Sequence, residues 1–199
     1  FTVTVSNVAP TLVISGDVAA EETFEGPGEF EIEVVPGNEG IFMEMVYSSI
    51  EDPITRIQLL MPGFSAEDAD SFYPPFLERL QGFDTIRSMN LSTNNEYMCD
   101  EPDKWSGHAS CQMSWENRTL PFTQTQAKEG RGMAWETIID LVNQVENANI
   151  WINVPHAATD HYVKQLAKLM KANVATDRQI YLELSNEVWN PSIDFTQSK

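Results

Sequence analysis

From Pro53 onward, short apolar runs alternate with segments of helical period, and this alternation constrains the fold more than any other feature of the chain. Residues 54–61 (ITRIQLLM) read as a strand closed by Pro62 and Gly63. Residues 75–82 read as a short helix and residues 84–91 (DTIRSMNL) as a second strand. Residues 133–146 carry Trp135, Ile138, Ile139, Leu141, Val142 and Val145 on one face, the spacing of an amphipathic helix. A third strand follows at 149–155 (NIWINVP). Thr159 or Asp160 then caps a helix in which Tyr162, Val163, Leu166, Leu169 and Met170 recur at helical spacing. Residues 179–185 (QIYLELS) form the fourth strand. Apolar strands alternating with helices predict a parallel sheet covered by helices, open or closed into a barrel. No G-x-G-x-x-G or G-x-x-x-x-G-K follows any of these strands, which disfavours a nucleotide.

The preceding chain is of another kind. Residues 1–7 (FTVTVSN) alternate as a strand, and Val8-Ala9-Pro10 resembles a linker, because proline offers no ladder donor and extends its predecessor. We expect residues 1–9 to close an upstream β-domain and residues 10–52 to form a β-rich segment. Residues 53–199 would then supply the first four β/α units of a barrel. The chain starts without methionine and stops without a terminal device, so both ends are expected to be cut from a longer polypeptide.

Thirty acidic residues face 12 basic ones, a formal charge of −18. Such a surface repels phosphate backbones and anionic lipid, so neither nucleic acid nor membrane is an expected partner. No run approaches the roughly 18 apolar residues of a membrane span. No calcium-loop motif occurs, and no metal or other cofactor is expected.

Residues 92–132 form a long polar loop, a length that is usually functional. It holds Trp105, Trp115, Cys99 and Cys111. A zinc site using Cys99, His108 and Cys111 lacks an evident fourth ligand. A disulfide suits the spacing better and would stabilise by about 3 kcal/mol. Sequons begin at Asn90 and Asn117, and with the cysteine pair they favour an extracellular or cell-surface glycoprotein.

In parallel α/β folds, ligands bind where strand C-termini and helix N-termini converge. The strand ends carry Arg87, His156, Asn186, Glu187 and Trp189, with Trp105 and Trp115 within reach of the long loop. Aromatic faces stack on sugar C–H surfaces while carboxylates and amides bind hydroxyls, so these residues suit a carbohydrate. Each also has a plainer role: Glu187 and Asn186 suit a turn, Arg87 an ion pair, His156 a cap, and Trp189 and Trp151 a core or rim.

The segment YLELSNEVWN, residues 181–190, resembles the fourth-strand end of clan A glycoside hydrolases. The resemblance implies the N-terminal half of a TIM-like (β/α)8 barrel. It makes Glu187 the general acid/base and Asn186 the holder of the sugar 2-hydroxyl. Arg87 falls where the clan places an arginine near its carboxylates, and His156 where several member families keep a substrate-binding histidine. The wider pattern (MPGF, PPFLERLQGFDTIR, INVPHAATDHYV, SNEVWN) is similar to large modular extracellular bacterial proteins with such barrels.

The departure from the clan is as informative. Clan members retain configuration through a second glutamate on strand seven, with carboxyls about 5–5.5 Å apart. No such nucleophile is present here. Glu183 lies about 13 Å up the strand from Glu187. It is expected to pair with Arg87, because a charge buried in a barrel needs a partner. The expectation is a glycoside hydrolase-like module acting on a β-linked glycan, retaining if completed by the rest of its own chain or neighbouring subunits, and inactive alone. The alternative is a non-catalytic structural or carbohydrate-binding module of a modular cell-surface or filamentous glycoprotein.

Overall fold

The computed structural model describes residues 2–5, 11–51, 53–54, 57–64, 72–92, 99, 111–123, 125–126 and 131–191. The chain divides into two compact units, Phe1–Ser71 and Phe72–Lys199.

Among the described residues, the strands of the first unit pair antiparallel. Strands β1 (Thr2–Val5), β4 (Gly28–Glu31) and β6 (Ile57–Leu60) form one sheet in the order β4-β1-β6. Strands β2 (Thr11–Gly16), β3 (Glu22–Glu25) and β5 (Ile41–Tyr47) form another in the order β3-β2-β5. Leu12 and Ile14 alternate inward from β2 and, with Ile32, make a small core that Phe24, Phe30, Ile41 and Met43 flank. The Phe24 and Phe30 rings lie 4.7 Å apart, a favourable tilted contact. At the end of β2 the backbone turns at Gly16 with φ +92°, and a Cβ there would sit 2.1 Å from the Gly40 carbonyl oxygen. Only glycine fits so close an approach at positive φ. The Asp17 carboxylate then accepts the Gly40 N–H at 2.9 Å, tying the turn to β5.

The second unit opens with α1 (Pro74–Leu80), whose prolines pre-set the first helical turn. Strands β7 (Thr85–Arg87), β8 (Asn149–Val154) and β9 (Ile180–Leu184) follow, joined through α2 (Trp135–Gln144) and α3 (Asp160–Asn173). They form a parallel sheet in the order β7-β8-β9. Ile150 and Ile152 of β8 are buried against Ile138, Ile139 and Val142 of α2 and Leu166 and Met170 of α3. Each such side chain contributes about 2–3 kcal/mol of burial, so this cluster dominates the unit. The Thr159 hydroxyl caps α3 by accepting the Tyr162 N–H at 3.1 Å. The Asn149 side chain donates to the Asp84 carbonyl at 2.9 Å and accepts the Gln179 N–H at 2.8 Å, aligning the starts of all three strands.

The fold therefore differs from the expected N-terminal half of a TIM-like (β/α)8 barrel. Residues 54–61 do not begin a parallel sheet: Ile57–Leu60 pairs antiparallel with Thr2–Val5 in the first unit. Among the described residues three parallel strands remain, with their helices packed on the Ile150 and Ile152 side, and the arrangement is not half a barrel. A short apolar run reports burial but not the direction of its partner, which is why periodicity alone misassigned it. The expected partner that would complete a barrel loses its basis with the barrel. Thr2–Val5, within the residues expected to close an upstream β-domain, form the central strand of β4-β1-β6. β3 lies within the segment 10–52 expected to be β-rich.

Candidate functional site

Alternation along β8 and β9 decides what the other face of the parallel sheet presents. With Ile150 and Ile152 turned to the helices, Trp151 and Asn153 turn away from them. The register sets Arg87 beside Trp151 and Trp151 beside Tyr181 in one row across the sheet, and Asn153 beside Glu183 in the next. The Trp151 and Tyr181 rings are 6.4 Å apart, and the Arg87 guanidinium sits 5.1 Å from the Trp151 ring. Trp151 is 37% exposed, so an aromatic surface remains open to solvent.

Glu183 is the hub. Its carboxylate accepts Arg87 Nη2 at 2.8 Å, Arg87 Nε at 3.2 Å, Trp151 Nε1 at 2.9 Å and Asn153 Nδ2 at 2.8 Å. The Arg87–Glu183 pairing expected from the sequence is present. Arg87 Nη2 also donates to Asn186 Oδ1 at 2.8 Å, which joins the network to the loop after β9. The charge of Arg87 is matched by Glu183, so the site does not present a bare cation to an anionic ligand.

That loop is wound tightly. Ser185 and Asn186 are buried, and Ser185 and Glu187 hold φ of +52° and +44°, a region that residues other than glycine seldom adopt. Such backbone persists only where its surroundings over-determine it, and it concentrates at functional sites. Here Asn153 Nδ2 donates to the Ser185 carbonyl at 2.6 Å, and the Ser185 N–H donates to Val154 O at 2.7 Å. Asn190 Nδ2 donates to Glu187 Oε2 at 2.8 Å, fixing the carboxylate in the turn. His156 Nδ1 lies 3.3 Å from Ser185 Oγ at the end of β8. Trp189 is 75% exposed.

The structure thus links Arg87 and Asn186 directly and sets His156 against the Ser185 side chain that precedes Asn186. Trp115 is engaged in other contacts. Its ring lies under the Arg118 guanidinium at 3.8 Å and edge-on to Tyr162 at 5.2 Å. Trp105 and His108 lie outside the described residues. Cys99 and Cys111 form a disulfide, both half-cystines buried in the core of the second unit. Among the described residues no group of three or more histidine, cysteine, aspartate or glutamate side chains could hold a metal. Asn90 and Asn117 are exposed, while Ser92 and Thr119, the hydroxyl residues of their sequons, are buried.

Sequence reasoning missed Tyr181 and Asn153. The signal was available: residues 151, 153, 181 and 183 are alternate positions on adjacent strands, so burying Ile150 and Ile152 sends them together to the opposite face. No protein-family model, curated protein or solved structure matches the chain.

Proposed function

We propose that this protein binds a β-linked glycan on the open face and C-terminal end of its parallel sheet, with Glu187 as the acid/base carboxylate of a glycoside hydrolase-like site. The observation that carries the proposal is the Arg87 guanidinium bridging Glu183 and Asn186. It ties the row Arg87-Trp151-Tyr181 to the strained turn that holds Glu187. An exposed aromatic pair beside paired carboxylate, guanidinium and amide groups matches a pyranose, which is apolar on its faces and polar at its edge. The likeness to clan A glycoside hydrolases rests on Asn186 and Glu187 and supports the same role for Glu187. Glu183 acts as the holder of the network, its oxygens being occupied by four donor groups.

A second reading has specific support. Glu183 and Glu187 both hydrogen-bond within the protein, which suits a non-catalytic carbohydrate-binding module of a modular cell-surface or filamentous glycoprotein. Either reading fits an extracellular setting, which the Cys99–Cys111 disulfide supports. No helix among the described residues is long and apolar enough to cross a membrane.

The test is titration of the 199-residue protein with β-linked oligosaccharides, followed by calorimetry and product analysis. Binding that weakens in Tyr181→Ala and Trp151→Ala supports the site. Hydrolysis present in the parent and absent in Glu187→Gln assigns the acid/base role, whereas binding without hydrolysis in both selects the binding module. Failure of the parent to bind any member of the panel, or unchanged affinity in Tyr181→Ala, overturns the proposal.

A further inference from the structure

The helix-side face of β9 is incompletely covered. Ile180, Leu182 and Leu184 lie in register with Ile150, Ile152 and Val154 of β8 and turn to the same side. The β8 isoleucines are fully buried, yet Leu182 is 70% and Leu184 63% exposed. Between this strand and α3 runs an apolar groove of about 310 Å³. Ile152 and Val154 are at its floor, Ile180 and Leu182 on one wall, and Val163 and Ala167 on the other. Ile152, Leu166 and Met170 belong both to the groove and to the core, so the groove continues the layer in which α2 and α3 pack. A parallel sheet is normally covered by helices in that layer, and a helix is the element whose apolar stripe fits the space.

The rim has a definite sign. Lys164, Lys168 and Lys171 recur along the exposed side of α3, and Lys171 lines the groove itself. They are a basic stripe on a chain of formal charge −18. Charges beyond about 8 Å are largely screened at physiological ionic strength, so Lys171, the charged residue that lines the groove, weighs most in the potential that a seated segment meets. We propose that the groove docks an amphipathic α-helix of a partner polypeptide. Its apolar face would cover Leu182, Ile180 and Val163, and its acidic flank would lie along Lys171 and Lys164. This is the helix-in-groove mode of recognition, with affinity from the apolar anchors and orientation from the charged edge.

The test uses the 199-residue protein and two fluorescent, end-blocked peptides of about 18 residues, long enough to hold a helix. Both carry leucine at i, i+3, i+4 and i+7; one has glutamate on the flank and the other lysine. The glutamate peptide is expected to bind the parent by anisotropy, and Leu182→Asp to weaken it by about tenfold or more. Lys171→Glu is expected to invert the preference between the two peptides. Both substituted side chains are exposed, and circular dichroism confirms that each variant folds. Absence of glutamate-peptide binding, an unchanged affinity in Leu182→Asp, or an unchanged preference in Lys171→Glu overturns the proposal. A parent dimer that Leu182→Asp dissociates, seen by light scattering, also overturns it, because a second copy would then occupy the groove.

Discussion

The guanidinium of Arg87 and the carboxylate of Glu183 meet at 2.8 Å across 96 residues of chain, joining the first and last strands of the parallel sheet over the intervening Trp151. The side chains are 35% and 25% exposed, so water screens the pair and the Coulomb term is modest. Charge-assisted hydrogen bonds to Trp151 and Asn153 add to it.

Glu183→Ala is expected to destabilise the protein by about 2 kcal/mol, because three donor-bearing side chains lose a shared acceptor. A double-mutant cycle with Arg87→Ala should return a coupling of about 1 kcal/mol. Chemical denaturation measures both, and a coupling of zero would show that the two groups do not act together.

Tyr162 provides a pH-dependent limb. Burial pushes its hydroxyl up from 10.0 to about 12, with the Trp135 indole N–H, which donates to it at 2.6 Å, pulling the other way by less. The folded state therefore holds the proton more tightly than the unfolded chain. Its contribution is complete below about pH 10 and is lost as pH rises through about 12, amounting to about 3 kcal/mol. Urea titrations across that window, compared with Tyr162→Phe, should show a steeper fall in the parent. Tyr162→Phe should also cost about 1–3 kcal/mol at neutral pH by orphaning the Trp135 N–H. Parallel stability curves for the two proteins would refute the assignment.

The Cys99–Cys111 bridge closes a segment of sequence separation 12. Removing it by paired substitution with alanine should lower stability by about 3 kcal/mol. Thermal melts with and without reductant should show the same drop in the parent and none in the variant.

Capping by Thr159 gives a smaller, cleaner test. Thr159→Ala should cost about 1 kcal/mol and Thr159→Ser much less, since only the hydroxyl satisfies the Tyr162 N–H. Equal losses in the two variants would place the effect in packing instead.

The residues at the strand ends were legible in the sequence. Arg87, Asn186 and Glu187 stand where short apolar runs end, and Glu183 needed a cation on the same sheet. Tyr181 and Asn153 were missed because their role depends on which face of β9 and β8 the helices cover. Trp115, a sugar-stacking candidate from the sequence, contacts Arg118 and Tyr162, partners that are 3 and 47 positions away in the sequence.

Local pattern by itself determined α2, α3, β8 and β9, because helical period and apolar alternation are properties of neighbouring residues. Composition determined the acidic surface, and the cysteine pair its single bridge. Only the tertiary structure decided that residues 57–60 pair antiparallel with residues 2–5 rather than opening a parallel barrel. Both choices satisfy the same apolar run, and what separates them is a ladder of hydrogen bonds to a strand more than 50 residues away.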